Sequence, residues 1–169
     1  LKFSYDNNTP LRVKAGFDPT TSNLHLGHLL LLRKLKVFQA LGHKIFFLIG
    51  DFTAKIGDPT NRDKTRPSLD EGTINKNAAT YKDQLFKILE EDNVEILYNS
   101  KWFNDFDLSN LIKLASLENV ARLLERDDFK KRYKSGEPIT VTEFLYPILQ
   151  AYDSVVLECD IEVGGTDQM

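Results

Sequence analysis

Hydrophobic and polar positions along the chain follow two periods, and their order predicts an α/β fold. Apolar residues at positions 11, 13, 15 and 17 alternate with others, which is the period of a β-strand with one covered face. Apolar positions 31, 35, 38 and 41 then predict an amphipathic helix that stops at Gly42. Residues 45–49 are continuously apolar, as in a parallel strand covered on both faces. Strand, helix and strand in this order predict a right-handed crossover within a parallel, Rossmann-like sheet.

The same pattern continues through the rest of the chain. The polar segment 60–72, with Pro67 and Gly72, predicts a mobile loop, and residues 74–88 predict a second amphipathic helix before a strand at 94–98. Residues 107–124 have a helical pattern. Residues 125–134 carry both charge signs, including Lys130-Lys131-Arg132, which is typical of a solvated helical face.

Three polar residues recur at helical spacing near the end of the chain. Thr142 is placed to cap a helix in which Tyr146, Gln150 and Asp153 fall on one face. Pro147 lies inside this segment and predicts a bend or the first turn of the helix. Such a trio indicates either a substrate pocket or a structural hydrogen-bond network.

The tetrapeptide His25-Leu26-Gly27-His28 opens the first helix directly after a strand and turn. If the helix begins near residue 24, the two imidazoles share a face above its N-terminus, where unpaired N–H groups and the helix dipole favour phosphate. Gly27 leaves room for a base or ribose to lie on the backbone. The pattern therefore predicts a nucleotide site, although two histidines alone also occur as an exposed cap and a core residue.

Composition narrows the class of protein. At 169 residues and 41% hydrophobic residues, the chain has room for one core, and a net charge of −3 gives no support to a global nucleic-acid surface. Any RNA contact is therefore local, and we expect no DNA partner. A single cysteine, Cys159, excludes an internal disulfide and suits the cytoplasm. No apolar run is long enough for a membrane span, so we expect no membrane partner.

Four separated motifs resemble class I aminoacyl-tRNA synthetases, and together they look like the bacterial-type tyrosyl-tRNA synthetase family. The motifs are Gly16-Phe17-Asp18-Pro19-Thr20 with His25-Leu26-Gly27-His28; Ile56-Gly57-Asp58-Pro59; Tyr146 with Gln150-Ala151-Tyr152-Asp153; and Val163-Gly164-Gly165-Thr166-Asp167-Gln168. They occur in the family's order and cover nearly the whole chain. The resemblance implies a Rossmann-like catalytic domain that activates tyrosine with ATP and transfers it to tRNA(Tyr).

The resemblance also assigns residues to three roles. It implies that the phosphates are handled by His25, His28, Arg62 and Arg66. It implies ATP or adenylate contacts from Asp18, Gly27, Gly165 and Asp167. It implies tyrosine contacts from Lys14, Thr53, Asp58, Tyr146, Gln150, Asp153 and Gln168. Mg²⁺ is expected to arrive with ATP, and neither a prosthetic group nor a protein metal site is expected because no cluster has metal-ligand spacing.

Two positions depart from the family's pattern. Lys14 stands where many members pair a tyrosine with the aspartate at the phenol, and Ala15 replaces a cysteine that contacts ribose in some members. Lys14 has three open roles: neutralising Asp153, donating to the phenol oxygen, or pointing away. An aromatic amino acid other than tyrosine is therefore an alternative substrate.

The resemblance also implies how this chain relates to a larger protein. Residues 1–169 are expected to form the amino-terminal part of the catalytic domain, with a helical insertion at about 105–140 that makes a homodimer interface near the tRNA acceptor stem. The lysine-rich ATP-clamping loop and the anticodon-binding domain are not in this chain. Alternatives are a tryptophanyl-type enzyme, a non-catalytic interaction module of the same fold, and another nucleotidyl transferase.

Overall fold

Four parallel strands form the centre of the protein, whose computed structural model describes residues 4, 6, 9–57 and 70–165. They are β1 (Arg12–Phe17), β2 (Lys44–Ile49), β3 (Val94–Tyr98) and β4 (Ile161–Glu162), in the order β3-β2-β1-β4. The strand order reverses direction at β1, so ligands are expected beyond the carboxyl ends of β1 and its neighbours. The predicted parallel α/β sheet with flanking helices is confirmed.

Eight helices connect and cover the strands within the part of the chain that the structure describes. They are α1 (Leu26–Ala40), α2 (Thr53–Ile56), α3 (Glu71–Leu85), α4 (Ser100–Phe103), α5 (Leu108–Ala115), α6 (Val120–Leu123), α7 (Asp127–Ser135) and α8 (Val141–Val156). No helix among the described residues has the length and apolar character needed to cross a membrane.

The main core lies on one side of the sheet. Val13, Ala15 and Phe17 of β1 pack there with Leu35 of α1 and Tyr81 of α3, and all five are almost completely buried. Strand β2 is buried over residues 45–49, so the prediction of a strand covered on both faces is confirmed. Burial of these apolar side chains is the main favourable contribution to the fold.

The second face of β1 is also covered, which corrects the expectation of a strand with one covered face. The Lys14 side chain is completely buried and its Nζ donates to the backbone oxygen of Gln150 on α8, at 3.0 Å. Alternating polarity predicts a half-exposed strand only when nothing packs on the polar side. Here α8 packs on that side, so a charged residue lies in the interior.

Several helix limits differ from those predicted. Helix α1 begins at Leu26 rather than near residue 24, because His25 is its N-cap. Helix α3 begins at Glu71 and ends at Leu85, so Gly72 belongs to a helix and not to the predicted loop. The segment 107–124 forms two helices, α5 and α6, instead of one.

Helix α8 is capped by Thr140 and not by Thr142. The Thr140 side chain accepts from Glu143 N, and the Glu143 side chain accepts from Thr140 N, a reciprocal capping box. Pro147 lies inside the helix, beyond the first turn.

The charged segment around α7 is more than a solvated face. Arg132 Nη1 lies 2.6 Å from Glu143 Oε1, which ties α7 to the start of α8. Burial raises the pKa of Glu143, but the hydrogen bonds from Arg132 and Thr140 outweigh it and hold the pKa below its ordinary value. Phe129 of α7 is fully buried, whereas Lys130 and Lys131 are exposed.

Candidate active site

A small polar cavity lies where the carboxyl ends of β1, β2 and β3 meet α8. Its volume is about 20 Å³, and it is lined by Lys14, Gly16, Phe17, Asp18, Leu48, Gly50, Thr53, Asn99, Tyr146, Gln150 and Asp153. Six of these residues were predicted to contact substrate, and they come from β1, α2, α8 and the turn after β1. The structure therefore brings together residues that are up to 139 positions apart in the sequence, from Lys14 to Asp153.

Asp18 connects the turn after β1 to helices α2, α8 and α3. It follows β1 directly, and its Oδ1 accepts from Thr53 Oγ1 at 2.8 Å while its Oδ2 accepts from the Tyr146 hydroxyl at 2.9 Å. The Tyr81 hydroxyl donates to the Asp18 backbone oxygen at 3.3 Å. Each carboxylate oxygen thus has a hydroxyl donor, which fixes the carboxylate at the carboxyl edge of the sheet.

Gly50 permits the close approach of Asp18. A Cβ atom at position 50 would lie 2.0 Å from Asp18 Oδ1 and 2.5 Å from Thr53 Oγ1, distances that no side chain tolerates. Glycine is therefore needed because the carboxylate occupies the space of a side chain.

Asp153 is the buried acceptor at the inner end of the cavity. Its Oδ1 accepts from Trp102 Nε1 at 2.9 Å, and its Oδ2 lies 3.4 Å from Asn99 Nδ2. Burial raises the pKa of Asp153 to about 6, and the charge of Lys14 and these two hydrogen bonds limit the rise. At neutral pH the side chain is mostly a buried carboxylate, which accepts well from a hydroxyl or N–H group.

Lys14 pairs with Glu162, a partner that was not among its three predicted roles. Its Nζ lies 3.2 Å from Glu162 Oε1 and donates to the backbone oxygen of Gln150, and its charge also lowers the pKa of the nearby Asp153. Burial raises the pKa of Glu162, but Lys14 and the hydrogen bonds to the carboxylate hold it below the ordinary value. Among the described residues, the carboxylates of Asp18, Asp153 and Glu162 lie in or beside the cavity with the ammonium group of Lys14. This excess of negative charge favours a positively charged group in a ligand.

His25 and His28 stack at the N-terminus of α1, with ring centroids 3.7 Å apart. His25 Nδ1 accepts from Gly27 N at 3.1 Å, and His28 Nδ1 accepts from His25 N at 3.3 Å. Two N–H groups of the helix end are therefore bonded to imidazoles rather than unpaired, which corrects the expectation for this helix end. The shared face for the two histidines is confirmed.

The capping hydrogen bonds define the chemistry that the histidines offer. Because each Nδ1 accepts, the proton of each neutral ring is on Nε2, which makes Nε2 a donor. Burial and the neighbouring His25 lower the pKa of His28 to about 4, so this ring is neutral at physiological pH. The pair is suited to donate hydrogen bonds to an anion without carrying two positive charges.

The histidines adjoin the cavity through Phe17. The Phe17 ring meets the His28 ring edge-on at 5.4 Å, and Phe17 also lines the cavity. Gly27 has a structural reason of its own, because a Cβ there would lie 3.0 Å from His25 Cε1. A side chain at position 27 would therefore press against the His25 ring, which would have to shift slightly.

The remaining predicted residues lie elsewhere. Gly165 lines an open groove of about 900 Å³ between α1, α6 and α8, and not the small cavity. Five predicted residues lie outside the described ranges: Asp58, Arg62, Arg66, Asp167 and Gln168.

Four residues of the site were not predicted from the sequence: Gly50, Asn99, Trp102 and Glu162. Asn99 follows β3 as Asp18 follows β1, so both lie at the same edge of the sheet. The order of the strands alone was therefore enough to predict Asn99 as a site residue. Asn99 is fully buried; its side chain accepts from Phe52 N and donates to Thr53 Oγ1. Trp102 carried no such signal, because its contact with Asp153 depends on the packing of α4 against α8.

The family follows from a comparison with known proteins. The chain belongs to the family described as tRNA synthetases class I (W and Y), whose model matches residues 6–169.

Curated relatives in this family include tyrosine-tRNA ligases. That of Legionella pneumophila (strain Paris) is 58% identical over 159 residues, which cover 94% of this chain and 40% of that protein. That of Aquifex aeolicus (strain VF5) is 56% identical over 159 residues, covering 94% and 41%. The chain thus spans about two fifths of the length of these relatives.

Solved structures agree with the fold. A C-terminally truncated mitochondrial tyrosyl-tRNA synthetase from Aspergillus nidulans matches with a TM-score of 0.81 at 27% identity, covering 94% of this chain and 49% of that one. The tyrosyl-tRNA synthetase of Archaeoglobus fulgidus, complexed with L-tyrosine, matches with a TM-score of 0.79 at 25% identity, covering 99% and 49%.

Proposed function

We propose that this chain is the amino-terminal part of the catalytic domain of a tyrosyl-tRNA synthetase, which activates tyrosine with ATP and transfers it to tRNA(Tyr). The observation that carries the proposal is the buried Asp153 carboxylate, held by Trp102 and Asn99 at the inner end of a polar cavity. A buried acceptor of this kind favours an aromatic ring that ends in a hydroxyl, because a ring without one leaves the acceptor unpaired.

The substrate is proposed to bind with its phenol toward Asp153 and its α-ammonium group toward Tyr146, Gln150 and Asp58. Three of these residues, Asp153, Tyr146 and Gln150, line one cavity at the carboxyl edge of the sheet. Thr53, which donates to Asp18, and Gln168 are proposed to complete the amino-acid site.

Tyrosine binding requires the cavity to widen. Its present volume of about 20 Å³ has room for a single water molecule, and an aromatic side chain needs several times more. The contact between the Tyr146 hydroxyl and Asp18 closes one side, so we expect Tyr146 to exchange this hydrogen bond for one to the substrate ammonium.

The reaction follows from these positions. A carboxylate oxygen of tyrosine attacks the α-phosphorus of ATP in line, a new P–O bond forms, and the α–β anhydride bond breaks to release pyrophosphate. The 3′-terminal ribose hydroxyl of tRNA then attacks the tyrosyl carbonyl, and AMP leaves. No covalent bond to the protein forms, so the protein contributes placement and charge stabilisation. Mg²⁺ enters as part of the ATP substrate.

The phosphates are proposed to lie at the N-terminus of α1. The Nε2–H groups of His25 and His28 donate to phosphate oxygens as charge develops, and Arg62 and Arg66 bind pyrophosphate from the segment before α3. Asp18, Gly27, Gly165 and Asp167 are proposed to contact the nucleotide or adenylate.

Tyrosine-dependent exchange of pyrophosphate into ATP tests this function in the full-length protein. We expect exchange with tyrosine and much weaker exchange with phenylalanine or tryptophan. A preference for tryptophan would assign the chain to the tryptophanyl branch of the family, and no exchange with any amino acid would favour a non-catalytic module.

A homodimer is proposed as the working state. The insertion exposes apolar side chains on α5, α6 and the start of α8: Leu108, Ile112, Val120 and Val141 have relative exposures of 58% to 78%. Exposed apolar residues concentrated in one segment are typical of an interface. Ile112→Asp is expected to yield monomers in analytical ultracentrifugation, and an unchanged dimer would place the interface elsewhere.

A cytoplasmic location is part of this proposal, because tRNA charging supplies translation there.

A further inference from the structure

Glu162 on β4 has no role in the proposed reaction, yet it is the centre of a hydrogen-bond network. Its Oε1 accepts from Gln150 Nε2 at 2.8 Å and lies 3.2 Å from Lys14 Nζ. Its Oε2 accepts from Ser154 Oγ at 2.7 Å. Lys14 Nζ also donates to the backbone oxygen of Gln150. The network therefore joins β1 and β4 to the polar face of α8.

The sequence places these four residues together by simple rules. Lys14 and Glu162 are direct partners in the parallel register of β1 and β4. Gln150 and Ser154 lie one turn apart on α8, so both side chains reach the same carboxylate. The Lys14 side chain is completely buried, whereas that of Glu162 is 31% exposed, so Glu162 supplies the charge that the buried ammonium group requires.

The charge of Glu162 fixes the direction of the Gln150 side-chain amide. An ionised carboxylate accepts hydrogen bonds and donates none, so only the NH₂ group of Gln150 can face it. The amide oxygen of Gln150 is consequently turned away from Glu162. Gln150 also lines the small cavity, so the direction of its amide decides which group it presents to a ligand.

We propose that Glu162 is a positioning residue that turns the amide oxygen of Gln150, rather than its nitrogen, toward the α-ammonium group of the amino-acid substrate. This inference rests on the proposed function, in which Gln150 contacts that group. With the amide reversed, an NH₂ group would face an ammonium group, and two donors repel each other. Lys14 contributes by keeping Glu162 ionised and by holding the Gln150 backbone oxygen.

The test is a steady-state comparison of KM for tyrosine and for ATP in the full-length protein. Glu162→Ala is expected to raise the KM for tyrosine about tenfold, the effect of losing one hydrogen bond to a charged group, with no change in the KM for ATP. Glu162→Gln is expected to recover only part of the loss, because its side-chain oxygen still accepts from the Gln150 amide while the negative charge that fixes the amide direction and pairs with Lys14 is gone. Glu95→Ala is the matched control, since Glu95 pairs with Lys44 across β2 and β3 in a second lysine–glutamate pair.

A double-mutant cycle identifies the path of the effect. If Glu162 acts through Gln150, adding Glu162→Ala to Gln150→Ala raises the tyrosine KM no further. A second variant avoids leaving Lys14 buried and unpaired: Lys14→Met/Glu162→Leu removes both charges, and its tyrosine KM is likewise expected not to rise when Gln150→Ala is added.

The outcomes separate this inference from the proposed function. Wild-type protein that does not activate tyrosine contradicts the proposed function. If the wild type activates tyrosine, three results would overturn the positioning role alone. Glu162→Ala could leave the tyrosine KM unchanged, it could raise the KM values for tyrosine and ATP equally, or its effect could add fully to that of Gln150→Ala.

Discussion

Replacing Asp153 by asparagine is expected to stabilise the fold while it impairs tyrosine recognition. Burial raises the pKa of Asp153 from the ordinary 3.8 to about 6. The folded protein therefore binds this proton more tightly than the unfolded chain does. Ionised Asp153 costs no stability below about pH 4, and the cost grows as the pH rises and is complete above about pH 6. At 1.36 kcal/mol per pKa unit, the cost at pH 7.5 is about 3 kcal/mol.

Part of this cost remains in the asparagine variant. The amide oxygen of Asp153→Asn still accepts from Trp102 Nε1, but its NH₂ group faces the NH₂ group of Asn99, so the 3.4 Å contact is lost. Loss of one hydrogen bond costs about 1 kcal/mol. We therefore expect a net stabilisation of about 2 kcal/mol at pH 7.5, and at pH 4 a net loss of up to about 1 kcal/mol, because only the lost hydrogen bond remains there.

Hydrogen exchange of the α8 backbone amides measures this difference locally in the full-length protein, without requiring two-state unfolding. Glu95→Gln serves as the control, because it neutralises a half-exposed carboxylate on the opposite edge of the sheet. A destabilised Asp153→Asn at pH 7.5, or a gain of the same size at pH 4, would refute the reasoning about Asp153.

Three further predictions concern single side chains. His28→Ala is expected to slow adenylate formation by about 2 to 4 kcal/mol with unchanged tyrosine affinity; since the pKa of His28 is about 4, rapid-quench rates should also show no titration of this residue between about pH 6 and 8. Gly50→Ala displaces the Asp18 carboxylate, which lies 2.0 Å from the new Cβ, and is expected to raise the tyrosine KM at least about tenfold; an unchanged KM would exclude this role. Trp102→Phe removes a donor to Asp153, so the pKa of Asp153 rises further. As the pH is lowered, the tyrosine KM is therefore expected to start increasing at a higher pH than in the wild type, because Asp153 is protonated earlier.

Local patterns were sufficient for strands β1, β2 and β3, though not for β4, and for the face shared by Tyr146, Gln150 and Asp153. Each of these features depends on periodicity within one element, which neighbouring residues determine. The N-terminus of α8 was also within reach of the sequence, since Thr140 is followed three residues later by Glu143, the capping-box spacing, whereas Thr142 is followed by Leu145.

Features that depend on contacts between distant segments could not be predicted from the sequence. The burial of Lys14 is caused by α8, more than 120 residues further along the chain, and its pairing with Glu162 depends on the register of β4. Trp102 reaches Asp153 only because α4 and α8 meet. The His25 cap was predicted only as an alternative to a nucleotide site, because histidine is not among the usual N-cap residues.

The most direct test of the account compares tyrosine, phenylalanine and tryptophan in amino-acid-dependent pyrophosphate exchange, for the full-length wild type and for Asp153→Ala. We predict that the wild type strongly prefers tyrosine and that Asp153→Ala loses far more activity with tyrosine than with phenylalanine, because only tyrosine carries the hydroxyl that Asp153 accepts from. Equal losses with tyrosine and phenylalanine would contradict the role of Asp153, and a wild-type preference for tryptophan would contradict tyrosine as the substrate.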